Sequence, residues 1–483
     1  MTSNQATNDA DRPETEASWA DLLSGANGVL SLALAGGVML HAINVYVTIT
    51  ILPSVVAEIG GAAFYAWNTT LFILASIIGS VLSSGLLLRW GARTSYRCAI
   101  SIFLLGTALC ALSPSMPVLL VGRSIQGLGG GVLFALSYAM IQIVFRQSLW
   151  SRAMALVSSM WGAATLAGPA LGGIFAELEL WRGAFWILVA VGLPYWVLTE
   201  RILPDPNGEH ARPAPVAWAQ IALLCSSVMA VSIASLSRDA LFNAGGLVIA
   251  GLCTAALVAL ERRRDLCLLP QGSTIPGSPL ANLYLVMALL VVAIQTEIFV
   301  PYFLQSLSGA SPLVAGYLAA LMAAGWAVAA LLFSGLHDRN VRLAVVFGPL
   351  LVSASLAALA WLLPGSHAKG AALVPVGISL TLAGFGIGLT WPHLLARVLV
   401  VAPSTEAEKA SAGITTLQLF ATALGAAFAG LVVNAFGFGS GAARSADQQA
   451  AFWLFALFAA APLIAAWPAW RVSRQMRGDG DQS

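Results

Sequence analysis

The sequence predicts an all-α membrane protein of about 14 spanning helices. They form two related six-helix bundles with pseudo-two-fold symmetry, and two further helices are inserted between the bundles. Three observations predict this class. Charged residues make up 9% of the 483-residue chain and hydrophobic residues 59%, whereas a soluble domain carries about a quarter charged residues. Apolar runs near the ~20 residues needed to cross a hydrocarbon core recur along the whole chain. Short words also repeat at corresponding places in the two halves. Helices rather than strands follow from the run lengths, and because lipid offers backbone groups no outside hydrogen-bond partner.

The chain opens with residues 1–29, polar and acidic through Asp9, Asp11, Glu14, Glu16 and Asp21. This stretch lacks the basic start and short apolar core of a secretory signal. It is expected to be a disordered cytoplasmic tail. Spans 1 to 6 are predicted at 30–53, 63–88, 97–114, 117–144, 150–175 and 182–203, giving a first bundle over 30–203. Prolines 204, 206, 213 and 215 end it. Two inserted spans, 215–236 and 240–260, lead to the charged run Glu261-Arg262-Arg263-Arg264, so 204–278 is expected to be an insert with a cytoplasmic loop. Spans 9 to 14 follow at 279–304, 312–335, 343–364, 371–396, 408–435 and 450–470. They form a second bundle over 279–471, before a cytoplasmic tail at 472–483.

The basic residues test this map. With the N-terminus inside, 18 of the 23 Lys and Arg fall in inside segments. Arg182, Arg238, Lys369 and Arg444 fall outside, and Arg123 lies within a span. That is a positive-inside pattern. It predicts a multi-pass protein of the plasma membrane with both termini cytoplasmic. The richness in alanine points to a bacterial inner membrane.

The repeat is read from two places. Ser84-Gly85-Leu86-Leu87-Leu88-Arg89 after span 2 matches Ser334-Gly335-Leu336-His337-Asp338-Arg339 after span 10 at four of six positions. Gly127-Leu128-Gly129 in span 4 is echoed by Gly384-Phe385-Gly386 in span 12. Repeated halves are the signature of secondary transporters, whose binding site lies between the halves near the bilayer midplane.

Other classes are disfavoured. A net charge of +2 suggests no nucleic-acid partner. Cys98, Cys110, Cys225, Cys253 and Cys267 are scattered without a CxxC or Cys/His cluster, so no metal or disulfide framework is expected. No nucleophile elbow or Walker loop is present, and Gly127–Gly131 continues an apolar helix instead of joining a strand to one. The chain is therefore not expected to be an enzyme, nor to need a cofactor. Its expected partners are the lipid bilayer, a small-molecule substrate and a coupling ion, with the chain a monomer.

Two charges lie clearly inside spans, Arg123 and Glu297. Such residues cost about 2.5–3.5 kcal/mol to insert and commonly mark a pathway or pair with a partner. Counting along their spans puts Arg123 about 9 Å and Glu297 about 10 Å below the outer face, in different halves. Glu297 is the candidate proton site, with Arg123 as the cation that biases it. The competing reading is a structural acid bonded to Gln295 or Tyr302, with Arg123 bonded to backbone carbonyls. Asn44, Trp67, Asn68, Tyr138, Gln142, Gln295, Tyr302, Trp391 and Gln418 are candidates to line a central substrate cavity, with His41, Trp161 and His393 beside them. A mostly apolar, aromatic wall with few polar groups suits amphipathic ligands.

Further motifs carry a family resemblance. Span 4 holds Arg123-Ser124-Ile125-Gln126-Gly127-Leu128-Gly129-Gly130-Gly131, and span 5 holds Gly168-Pro169-Ala170-Leu171-Gly172-Gly173. Trp181-Arg182 and Phe185 open span 6. In this order they resemble the major facilitator superfamily, above all its 14-span drug:proton antiporters, over nearly the whole chain. The resemblance implies the major facilitator fold and a gating role for Arg89, Gly91, Arg93, Gln126, Gly127, Gly168, Pro169, Gly172, Gly173, Asp338 and Arg339. Independently of the family, Gly168 and Gly172 lie one turn apart and allow close helix approach, and Pro169 permits a kink.

The sequence departs from the family pattern twice. Leu88 stands where the loop after span 2 usually carries an Asp, leaving the acid of that motif to Asp338 in the second half. Asn44 stands where span 1 of such antiporters commonly has an Asp, and an amide does not titrate. The resemblance implies proton-coupled export of drug-like amphipathic molecules by alternating access. The alternatives are a facilitator or importer of one metabolite, and a non-transporting membrane sensor or partner-binding protein.

Overall fold

The computed structural model describes residues 18–203, 215–263, 266–336, 338–365, 373–438 and 444–480. Every regular element among them is helical. In chain order the α-helices are α1 (Trp19–Leu23), α2 (Gly25–Ile59), α3 (Trp67–Ala111), α4 (Met116–Val144), α5 (Trp150–Glu177), α6 (Trp181–Ile202), α7 (Trp218–Ala234), α8 (Ala240–Glu261), α9 (Pro279–Ile294), α10 (Val300–Ser308), α11 (Pro312–Phe333), α12 (Asp338–Gly365), α13 (Val374–Val401), α14 (Ala407–Ala435) and α15 (Arg444–Gly480).

Twelve helical segments among the described residues are long and apolar enough to cross a membrane. One of them, 62–111, covers predicted spans 2 and 3 together. Its helix α3 turns at Gly91, where φ is 72° and ψ 174°. Glycine tolerates that backbone region, which a Cβ disfavours. The expected loop between spans 2 and 3 is thus a one-residue corner. The apolar helix α7 is shorter, at 17 residues. Counting both arms of α3 and adding α7 accounts for the predicted 14.

The last part of the predicted disordered N-terminal tail is ordered. Helical order begins at Trp19, where Ser18 and Asp21 form a capping box that satisfies the first orphan N–H groups, and α2 begins at Gly25. The acidic residues before Ser18 lie outside the described residues. At the other end α15 continues through Gly480, into the predicted cytoplasmic tail.

The same helix pairing is built twice. In the first half α2 packs on α5, the first arm of α3 on α4, and α3 on α6; in the second half α9 packs on α14, α11 on α13, and α12 on α15. The glycine echo has a structural meaning. A Cβ at Gly127 or Gly131 of α4 would strike the backbone of Phe72 or Ser76 of α3, and one at Gly384 or Gly388 of α13 would strike Met322 or Trp326 of α11. In lipid, where apolar burial gives little association energy, such close approach supplies the dispersion contact that holds helices together.

Contacts between the halves concentrate at one end, the end that carries Ile59, Glu177, Ser308 and Ala435. There Gly173 of α5 packs on Leu313 of α11. Tyr65 stacks on Phe299 at 4.9 Å, and Asn434 donates to the Ala63 carbonyl at 2.8 Å. Toward the other end Ser158, Ser159 and Gly162 of α5 are exposed, as are Ser411, Ala412 and Thr415 of α14. The halves are closed at the first end and part toward the second. The inserted helix α8 buries only Ala250. Its Leu241, Val248 and Leu252 are exposed, as suits a helix bathed in lipid.

Candidate functional site

Glu297 lies in a 3-10 stretch, Gln295–Phe299, that interrupts the ninth span between α9 and α10. Pro301 explains the interruption. It has no N–H for the carbonyl four residues back, which is that of Glu297, and the Val300 N–H bonds the Glu297 carbonyl instead. A mid-helix 3-10 turn is a common mark of a hinge or a strained segment.

The half-buried Glu297 side chain faces a cavity of about 10 Å³ lined by Tyr46, Ile49 and Thr50 of α2, Pro169 of α5, and Gly316, Ala319 and Ala320 of α11. That volume is close to the minimum for one water. The cavity lies on the seam between the halves, with a wall from each. No hydrogen bond or ion pair joins Glu297 to another described residue. The seam beside it is tight. A Cβ on Gly316 would sit 2.6 Å from Thr50 Cγ2 and 3.3 Å from Pro169 Cβ, and one on Gly173 would sit 2.6 Å from Leu313 Cα. Gly168 and Gly172 bring α5 equally close to Tyr46 and to Val47 and Thr50 of α2. The Gly-Pro block of span 5 thus forms one side of the seam at the level of Glu297.

Arg123 is not there. It is buried within the first bundle, donating from Nη1 to Asn44 Oδ1 at 3.2 Å and to Gln126 Oε1, and from Nε to the Asn68 carbonyl at 3.3 Å. Its guanidinium lies over the Phe72 ring, 4.2 Å from the centroid. Gln126 Nε2 in turn donates to Thr107 Oγ1 at 2.8 Å. Among the described residues no carboxylate enters this network, so oxygen dipoles and a ring face stabilise the buried cation. The predicted approach of Arg123 to Glu297 is absent from this state. So are the alternative bonds for Glu297, since Gln295 donates to the Val291 carbonyl and Tyr302 to Asp447.

The other candidates scatter. Asn44 and Asn68 belong to the Arg123 network. Trp67 is half-buried against Phe64, and Tyr138 bonds Ser158 toward the open end. Gln142 is exposed and Gln418 half-buried. Trp391 packs edge-on to Trp326 inside the second bundle, not on the seam cavity. His41 is enclosed by Phe72, Phe134 and Trp161. Among the gating residues, Arg89 and Arg339 are exposed, and Arg93 Nε donates to the Leu203 carbonyl at 3.1 Å, tying the Gly91 corner to the end of α6. The Asp338 side chain lies outside the description. Trp181 and Arg182 both bond Glu58, and Arg182 also bonds the Ser113 carbonyl, which locks a corner of the first bundle at the closed end.

Sequence reasoning missed Tyr46, Thr50 and Asn434. Tyr46 and Thr50 are one turn apart on one helix face, a detectable spacing, but nothing local says that this face meets the other half.

Two repeated membrane bundles that touch at one end and part at the other, with an acid on the seam, define a secondary transporter. A family model described as Major Facilitator Superfamily matches residues 34–426, and the chain belongs to that superfamily. It is 38% identical to a probable multidrug-efflux transporter of Mycobacterium tuberculosis, over 95% of this chain and 98% of the relative. It is 24% identical to multidrug resistance protein 3 of Bacillus subtilis, over 87% and 85%. Among solved structures it resembles an inward-facing bacterial homolog of the human lysosomal transporter Spinster, with a TM-score of 0.66, 14% identity, and coverage of 94% of this chain and 98% of that one. That last likeness concerns the fold alone.

Proposed function

We propose that this chain is a proton-coupled antiporter that exports amphipathic small molecules by alternating access, with Glu297 as its proton site. The observation that carries the reading is an acid with no hydrogen bond or ion pair among the described residues, in a water-sized space between two bodies that must separate. While the seam is shut, the cavity has too few polar groups to solvate a carboxylate, so the closed seam favours the protonated acid. When the seam opens, water from the outer side reaches the carboxyl and can deliver a proton, whose binding favours reclosing and whose release toward the cytoplasm favours reopening. Coupling follows because one proton state favours one gate state. The Gly-Pro block lets α5 rock against α11 at that point.

The names of the relatives support export of several unrelated compounds over import of one metabolite, and transport over catalysis. The positive-inside bias supports a cytoplasmic N-terminus, which makes the closed end the outer one and this state inward-facing. The boundaries 30–203, 204–278 and 279–471, a monomeric chain and a location in the bacterial inner membrane complete the proposal.

The test is export in proteoliposomes under an imposed pH gradient, with a lipophilic dye as substrate. Glu297→Gln is expected to abolish gradient-driven accumulation while downhill exchange of the dye persists. Unchanged gradient dependence in that variant overturns the assignment of Glu297.

A further inference from the structure

The inserted helices are placed where they can act on the gate. A buried apolar cluster joins Phe72, Ile73 and Ile77 of α3, Leu224, Val228 and Val231 of α7, and Ala423, Ala427 and Leu431 of α14. Helix α7 therefore lies along the seam at the closed end and touches both bundles. Its contacts with the two differ in kind. The buried Asn434 of α14 uses one carboxamide nitrogen for two bonds, to the Ser235 carbonyl at the end of α7 at 2.9 Å and to the Ala63 carbonyl of the first bundle at 2.8 Å. One turn earlier, a Cβ on Gly430 would meet the Ala66 Cβ at 2.7 Å and the Ser235 Oγ at 3.9 Å. Between α7 and α3, by contrast, apolar side chains meet, and no hydrogen bond joins the two helices among the described residues.

We propose that the inserted pair is a brace carried by the second bundle, and that Asn434 is the latch joining brace, second bundle and first bundle in the closed state. Apolar helix faces can part into lipid with little hydrophobic cost, so the α7–α3 contact yields easily. The polar bond to Ser235 is buried and has no water to replace it. The Ala63 residue is exposed, so water can take over its carbonyl when the seam opens. On opening, Asn434 keeps Ser235 and releases Ala63, and α7 moves with α14. The inference rests on alternating access but not on the chemistry at Glu297.

The experiment uses the full chain in lipid nanodiscs, with its native cysteines replaced and spin labels introduced in pairs. One pair, at Leu236→Cys and Ala435→Cys, reports α7 against the second bundle. The other, at Leu236→Cys and Ala57→Cys, reports α7 against the first. Gly316→Trp wedges the seam open. The expected result is an unchanged first distance distribution and a second displaced to longer distances. Asn434→Leu, without the wedge, is expected to give the second pair part of that long component; should one variant not fold, the other still decides. Movement of the first distribution with constancy of the second would assign the insert to the first bundle and overturn the proposal. A wild-type distribution in Asn434→Leu would remove the latch, and no movement in either pair under the wedge would remove alternating access at this seam as well.

Discussion

The two intramembrane charges are handled in opposite ways. Arg123 is sealed inside one bundle, with acceptors on α2, α3 and α4 and a ring beneath it. Glu297 sits between bundles on a broken helix, with no hydrogen bond or ion pair among the described residues. A charge held by several bonds within one bundle is tied to that bundle. A charge without them, on the proposed reading of Glu297, responds to whatever the seam lets in. The contrast teaches that two charges at similar intramembrane depth can have opposite surroundings, one bonded within a bundle and one facing the seam.

The comparison can be broken by exchanging the two treatments. Glu297→Gln removes the proposed proton site, and the largest effect is expected there: gradient-driven export falls to its level with an uncoupler, and the melting temperature in detergent is unchanged. Arg123→Met should do the reverse. It orphans the oxygens of Asn44 and Gln126, at about 1–3 kcal/mol for each buried unsatisfied group, so thermal stability falls strongly before any pH dependence changes. Asn44→Ala deletes one bond to the cation, about 1.5–3 kcal/mol, with a smaller fall in melting temperature. A melting temperature unchanged in both would mean that the Arg123 network is not structural.

A loop carboxylate sharpens the contrast at the small end. Glu406 accepts from the Gln271 backbone N–H at 2.7 Å and from Lys409 Nζ at 2.9 Å. These bonds hold its carboxyl below the ordinary value of 4.5. A depressed value means the tether stabilises the folded loop above about pH 4.5 and is lost as pH falls through the lower, folded value. Hydrogen-exchange protection at Gln271 should therefore hold at neutral pH and decline in acid, and Glu406→Gln should show no such transition.

Much of the fold is legible in the residues because bilayer thickness translates directly into run length. The two bundles and the inserted pair follow from hydropathy and basic residues. The Gly91 corner does not, since one residue with positive φ leaves no gap in an apolar pattern. The site is less legible. Glu297 stands out as an acid in a span, and Gly168-Pro169 as a flexible motif, but their adjacency depends on how α5 meets α11 across 130 residues of chain. Arg123 stands out equally and proves distant, because span depth fixes a level in the membrane and not a direction around the helix.

The 3-10 winding around Glu297 has one more consequence. Such a segment advances by about 120° and 2.0 Å per residue, an α-helix by about 100° and 1.5 Å. If residues 295–299 were to rewind as α, everything beyond them would turn by roughly 100° about the helix axis and draw in by roughly 2.5 Å. The ninth span thus contains a short screw, able to convert a change of pitch into a change in which wall the carboxyl faces.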